Sequence, residues 1–559
     1  MTGLGNSKVA DANEMVSQQH GQDGEELGAM EEVGGLKRHL NRRQVDMIAI
    51  GGSIGTALFI SIGYGLIEGG PGSLFISFCI YSCFLACVNN CMAEMSTFMP
   101  VSGGFIRMGS KWVDEAFGFM IGWNFFLYEA AAVPYEISAL SLVLTFWTDK
   151  IPIVAVCMAC IVLYGIINLF TVKWYGEAEF WLSTGKVILI GLLFAVTLIT
   201  MCGGNPKHDA YGFRYWRNPG AFAEYIDTGN LGRFEGFLAA FFLAAFVVVG
   251  PEYMAMVAGE TANPRKNIKR AFKTVYIRFG VFFIGGALCV GIVVPWNDPT
   301  LNGILKGTTA GAGTGAASPY VIAIQNLGIS TLPSIVNALL LTSIFSAGNT
   351  LTYCATRALH GLAVDGHAPS FLKKCTKSGV PIYCFGITML FPLLSLLAIK
   401  ASTAQVILWL ANLTQASQVI DYISMCVIYL FFYRALKVQG IDRKTLPYVG
   451  WWQPYCGWVG LITLSITVVI YGYSVFKPSY WNIGTFFSFY TMIFLCIILY
   501  CFWKAFKRTT IVKAYEADLV WERPSIDAHE LAYVEPKITF YQETLQNLGL
   551  KKKPEDHIL

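Results

Sequence analysis

Charge is what this sequence has least of. Asp, Glu, Lys and Arg make up 14% of its 559 residues, against about 25% in soluble globular chains. Hydrophobic residues make up 55%, and they fall in long blocks. A soluble chain of this length would form several domains, each needing a polar surface. The composition excludes that class and points to a chain whose outer solvent is lipid. Signatures of catalysis are missing too. There is no Walker A loop and no HExxH pair, which leaves no support for a self-contained ATP-driven pump or a membrane-embedded zinc hydrolase. An ion gradient remains as the energy source. The net charge of +4 is small, and nothing suggests nucleic acid as a partner. No secretory signal opens the chain. Residues 1–45 are polar and rich in Glu, Gly and Gln, so a disordered cytosolic tail is expected there.

Fifteen cysteines are present, but most lie inside apolar blocks, where a reduced thiol behaves as a small hydrophobe. Cys79, Cys83, Cys87 and Cys91 repeat every four residues. On a helix they would span about 18 Å, too far for one metal ion to collect. Packing explains them better.

Apolar runs of about 20 residues predict twelve transmembrane helices. They lie at 47–67, 73–93, 117–146, 153–172, 180–202, 234–258, 272–296, 332–358, 381–399, 403–433, 456–476 and 484–506. A short amphipathic helix is expected over 317–328. The transporter domain then covers 46–508, followed by a C-terminal tail, 509–559. Basic residues cluster in every second loop, for example Arg265, Lys266, Lys269, Arg270 and Lys273. This bias puts both termini in the cytosol and requires an even number of spans.

Two spans carry helix breakers. The first contains Gly51-Gly52-Ser53-Ile54-Gly55-Thr56, and the sixth contains Val249-Gly250-Pro251-Glu252. Gly loosens a helix and Pro removes a backbone donor. Inside a membrane such breaks survive where protein covers them or a cavity is lined. Their corresponding positions, five helices apart, point to a transport site between inverted repeats. Close packing of small residues is the plainer explanation, but Pro251 and Glu252 pack poorly. A broken helix exposes N–H groups at one end and carbonyls at the other. Two of them can hold the carboxylate and the ammonium common to all amino acids.

Ionisable groups within the spans are the next candidates, since a buried charge is costly. Lys186 lies in the fifth span, either as a proton-coupling amine or as a lysine snorkelling to the cytosolic edge. Glu129 and Glu136 lie seven residues apart on one face of the third span. Glu252 sits at the sixth-helix break and Asp421 in the tenth span. Each is open to a role as proton site or substrate contact. Glu94 and Glu260, near span ends, read as structural.

GGSIGTALF (51–59), GFRYWRNPGAF (212–222), FVVVGPEYMAMVAGETANPRKNI (246–268), SIFSAGNTLTY (343–353) and LAVDGHAP (362–369) resemble the yeast amino acid transporter family. That family belongs to the amino acid–polyamine–organocation superfamily. The likeness runs from about Leu36 to Trp521. It implies an all-α, LeuT-like fold of two inverted five-helix repeats, with helices 1 and 6 broken, plus two further helices. It also implies amino acid import by proton symport across the plasma membrane, driven by the proton gradient with no cofactor. Carried over by residue, Ser53, Ile54, Gly55, Thr56 and Ala57 look like the first-helix clamp. Phe246, Val249 and Gly250 look like the sixth-helix carbonyl face, with Phe246 a gate. Lys186 looks like the lysine that stands in for sodium in proton-coupled carriers. Two departures stand out: Ala57 where the family has a second Gly, and Thr350-Leu351 after Asn349 where it commonly has an Asp. Both narrow the expected substrate range. Segments 320–338 and 439–449 resemble dicarboxylic amino acid permeases, yet Glu129 and Glu136 offer an acidic side chain no compensating cation. Acidic or neutral amino acids are therefore the expected cargo. An amino acid sensor on a transporter scaffold is the alternative. Lys8 and Lys551-Lys552-Lys553 are candidate targets of ubiquitin ligase machinery, although exposed lysines are common without such a role.

Overall fold

The computed structural model describes residues 40, 42–169, 172–306, 318–376, 379–399 and 403–532. Nearly all of the expected N-terminal tail, Lys8 and Lys551-Lys552-Lys553 lie outside the described residues. The chain begins α1 (Arg42–Ser53), a π turn (Ala57–Ser61), α2 (Ile62–Phe98), α3 (Gly104–Trp112), α4 (Glu115–Leu144), α5 (Ile153–Leu169) and α6 (Val172–Met201). It continues with α7 (Gly229–Val247), α8 (Pro251–Val257), α9 (Pro264–Arg278), α10 (Gly285–Val293), α11 (Pro299–Leu305), α12 (Pro319–Asn326) and α13 (Leu332–Val364). Then come α14 (Ile382–Thr388), α15 (Thr403–Val438), α16 (Tyr455–Ile470), α17 (Ile483–Lys507) and α18 (Arg523–Ala532). Among the described residues no strand occurs, only an isolated bridge between Leu40 and Thr261.

Ten helical stretches among the described residues are long and apolar enough to cross a membrane, where twelve spans are expected from the sequence. The difference has two sources. The first two expected spans share one continuous stretch, Ala57–Phe98, and the fourth is a helix of 17 residues, Ile153–Leu169. Within α2 the chain kinks at Gly70 (φ 78°, ψ 170°), followed by Pro71. A side chain is excluded there, because a Cβ on Gly70 would lie 2.7 Å from the Ala221 carbonyl oxygen. That carbonyl accepts the Gly72 N–H (2.7 Å), and Ala223 N–H returns a bond to Gly69 O (3.0 Å). The loop after α6 thus supplies the hydrogen bonds the kink releases. Gly229 to Glu260 likewise reads as one stretch, although it holds a true break at 248–250.

Outward faces are apolar, as a lipid solvent requires: Ile188 is 59% exposed and Leu198 62%. At the centre α4 packs against α13, α15 and α17, while α1 packs against α6. Cys79 and Cys83 lie toward the surface and Cys87 and Cys91 are buried, all as free thiols. Among the described residues no group of His, Cys, Asp and Glu could hold a metal.

The two described chain ends meet on one face. Leu40 N–H bonds Glu260 O (2.9 Å), and Ala262 N–H bonds Leu40 O (3.1 Å). The His529 ring pairs with Ala262 O (2.9 Å). This face, called the tail face below, carries the buried pair Arg357–Glu260 (3.1 Å) and a two-pronged pair from Arg443 to Glu94 (2.8 Å each). Glu94 and Glu260 are therefore structural anchors, as their positions in sequence suggest.

Candidate functional site

The first break falls where the glycines place it. Helix α1 ends at Ser53, Ile54 and Gly55 are unwound, and a π turn starts at Ala57. Two charged side chains grip this break from opposite sides. Lys186, fully buried on α6, donates to Gly51 O (2.5 Å) and Ile54 O (2.6 Å). It occupies the carbonyl end of the half-helix, where the partial negative charge of the dipole favours a cation. Glu136, on α4, accepts from Thr56 Oγ1 (2.6 Å) and, at 3.4 Å to each carboxylate oxygen, from Thr56 N–H. It occupies the N–H end, where an anion is favoured. A Cβ on Gly55 would lie 2.6 Å from Glu136 Oε1 and 2.8 Å from Ala347 Cβ, so glycine is what lets the carboxylate approach. Ser53 Oγ bonds Ile50 O (3.3 Å) and accepts from Arg278 Nη1 (3.1 Å). Ala57 is only partly buried and is the first residue of the π turn.

The second break is built differently. Val248–Gly250 are non-helical, with Gly250 at φ 156°, ψ −38°. Pro251 then opens α8 at a position where its missing N–H is harmless. Glu252 folds back to accept Gly250 N–H (3.2 Å) and the Tyr422 hydroxyl (2.8 Å). The carbonyl end of α7 is partly taken by two amides from α15. Gln415 donates to Phe242 O (2.5 Å) and Gln418 to Ala245 O (3.2 Å). Phe246 meets Tyr135 edge-on with centroids 5.4 Å apart. The Tyr135 hydroxyl pairs with Ser61 (2.8 Å). This aromatic pair bridges the two breaks, the place a gate would need. Val249 is buried.

Ser53, Ile54, Gly55, Thr56, Lys186 and Glu136 are thus brought together around one break, and Phe246, Val249, Gly250 and Glu252 around the other. Sequence reasoning missed three further groups. Glu179, also fully buried, accepts from Ser183 Oγ (3.0 Å), from Asn349 Nδ2 (3.1 Å) and closely from Ser346 Oγ. It lies seven residues before Lys186, just outside the expected fifth span. Arg278 sat in plain view within the expected seventh span, a charge in an apolar run. Gln415 and Gln418 had no signal beyond being polar inside the tenth.

Comparison with known proteins follows the same lines. A family model described as amino acid permease matches residues 44–515. The General amino acid permease AGP2 of Saccharomyces cerevisiae is 42% identical over 517 residues, covering 91% of this chain and 86% of that protein. The dicarboxylic amino acid permease of the same yeast is 35% identical over 500 residues, with 89% and 81% covered. Its proline-specific permease is 37% identical over 482 residues, with 85% and 76% covered. Among solved structures, a manganese transporter from Eremococcus coleocola shares the fold, with a TM-score of 0.52 at 12% identity, covering 87% of this chain and 94% of that one.

Proposed function

Because the chain belongs to the amino acid permease family of multi-pass membrane transporters, we propose that it imports amino acids by proton symport through alternating access, at the plasma membrane, with the tail face in the cytosol. One observation carries the coupling: the protein's own carboxylate, Glu136, occupies the Thr56 donors that suit a substrate carboxylate. Glu136 and a substrate carboxylate compete for one anion position. A proton on Glu136 weakens its hold on Thr56 and frees the N–H end for substrate. The substrate ammonium turns to the carbonyls of Phe246 and Val249 at the second break. Substrate entry and protonation then favour each other, which is the thermodynamic requirement of symport.

Lys186 supplies the other half. Its two bonds to Gly51 O and Ile54 O tie α6 to α1, at a position suited to a bound cation. Loss of its proton removes one donor and the charge, loosening α1 from α6 as the site turns inward. The tail face carries the basic loops, which supports a cytosolic placement. Neutral side chains suit this site better than acidic ones, because Glu129, Glu136, Glu252 and Asp421 outnumber Lys186 and Arg278 around it.

The test is uptake of radiolabelled amino acids in cells lacking their own permeases, with surface expression checked by fluorescence. Uptake of at least one amino acid that rises as the outer medium is acidified supports the proposal. No uptake of any amino acid by surface-expressed protein contradicts it. Lys186→Met is expected to abolish accumulation against a gradient while leaving substrate binding measurable. Unchanged pH dependence of uptake in that variant rules out the coupling role.

A further inference from the structure

One buried carboxylate takes no part in the coupling just described. Glu129 lies on α4, seven residues from Glu136, or about 10 Å along the helix. It is completely buried, and neither of its carboxylate oxygens has a hydrogen-bond partner. Two further buried carboxylates are close enough to interact with it electrostatically, Glu252 on α8 and Asp421 on α15. Asp421 is buried as well. Its Oδ1 accepts from Asn124 Nδ2 (2.9 Å), and its Oδ2 has no partner. None of the three forms an ion pair among the described residues. Arg278 is the cation facing Glu252. The phenols of Tyr128 and Tyr253 are within electrostatic range of Glu129, and the Tyr253 ring lies against Gly52 at the first break.

Burying carboxylates without donors is costly, so something must satisfy them. A proton removes the charge but fills only one of the three open oxygens. An ammonium brings a positive charge and three donors, equal in number to the open oxygens of Glu129 and Asp421. The separation from Glu136 suits a ligand that is long, with its α-amino and carboxylate groups at the helix breaks and its far end at Glu129.

We propose that Glu129 and Asp421 form a side-chain subsite for a cation, so that the protein carries amino acids with a long cationic side chain. This rests on the amino acid transport reading and names its substrate class. The chemistry selected is an ammonium or guanidinium on a flexible apolar stem, as in lysine and arginine. Glu129 is a specificity residue here, while Glu136 and Lys186 serve the coupling.

The experiment compares uptake of labelled lysine, arginine, leucine and glutamate by the full chain and by Glu129→Gln, in cells lacking their own permeases. The glutamine keeps the shape and loses the charge. The wild type is expected to take up lysine or arginine, and Glu129→Gln to lose that uptake at least tenfold at equal surface expression. Purified protein adds an arm independent of flux: lysine should raise the melting temperature of the wild type and not that of Glu129→Gln, with Glu129→Asp recovering part of the shift. Equal lysine uptake in wild type and Glu129→Gln overturns the inference. So does a wild type that takes up leucine or glutamate but neither cation. If Glu129→Gln flattens the pH dependence for every substrate alike, Glu129 is a proton site and the inference also falls. Absence of uptake for all four by surface-expressed wild type, repeated with the remaining amino acids, sinks the transport reading itself and this inference with it.

Discussion

Single residues decide the chemistry at the first break. Lys186 and Glu136 bind opposite ends of the same interruption, and each matches the partial charge it meets. Glu136→Gln keeps a side chain able to accept from Thr56 but fixes it in the uncharged state. Substrate binding is expected to persist while uptake becomes insensitive to external pH, measurable as a flat profile of initial rate against pH. A second test concerns the buried pair Arg357–Glu260, whose side chains are 4% and 2% exposed. The Arg357 guanidinium also lies 4.1 Å over the Tyr353 ring. Arg357→Met leaves Glu260 buried and uncompensated, a loss of about 3–5 kcal/mol for such pairs. A markedly lower melting temperature in detergent is expected, with partial recovery on adding Glu260→Gln.

Helical elements turn on two glycines. Gly250, at φ 156°, holds a conformation that other residues adopt at a cost of about 1–3 kcal/mol. Gly250→Ala is expected to lower both stability and uptake, read by melting temperature and initial rate. Much of this level was legible beforehand. Hydropathy located the spans because lipid demands long apolar runs, and the Gly and Pro clusters located both breaks within a residue or two. The kink at Gly70 was not legible, since Gly-Gly-Pro between two apolar runs reads as a loop; the loop carbonyl that supports it comes from Ala221, far along the chain. Glu179 escaped because hydropathy started its span at 180, whereas α6 begins at Val172. Glu129 and Glu136 could not be ranked from sequence. Their periodicity is the same, and only tertiary structure shows that one meets the Thr56 donors while the other meets none.

At the scale of the whole molecule, the described part of the C-terminal tail is no loose appendage. The Trp112 indole donates to Asp518 O (2.9 Å), and Arg107 pairs with both Asp365 (3.0 Å) and Glu522 (2.7 Å). Arg265 pairs with Asp527 (2.5 Å) and Glu530 (3.1 Å), and Ile526 is fully buried. Residues 509–532 therefore tie α3 and α9 together across the tail face. Truncation after residue 508 exposes this surface, and lower stability in detergent is the expected result. The central claim is that one anion position is shared by Glu136 and the substrate carboxylate, so that protons and amino acid move together. The most direct measurement is the proton-to-substrate flux in liposomes containing the purified protein. An imposed inward proton gradient should drive a transported amino acid, labelled and at equal concentrations on both sides, to accumulate inside, and Glu136→Gln should abolish that accumulation while equilibrium exchange continues. Accumulation by Glu136→Gln equal to that of the wild type would contradict the account.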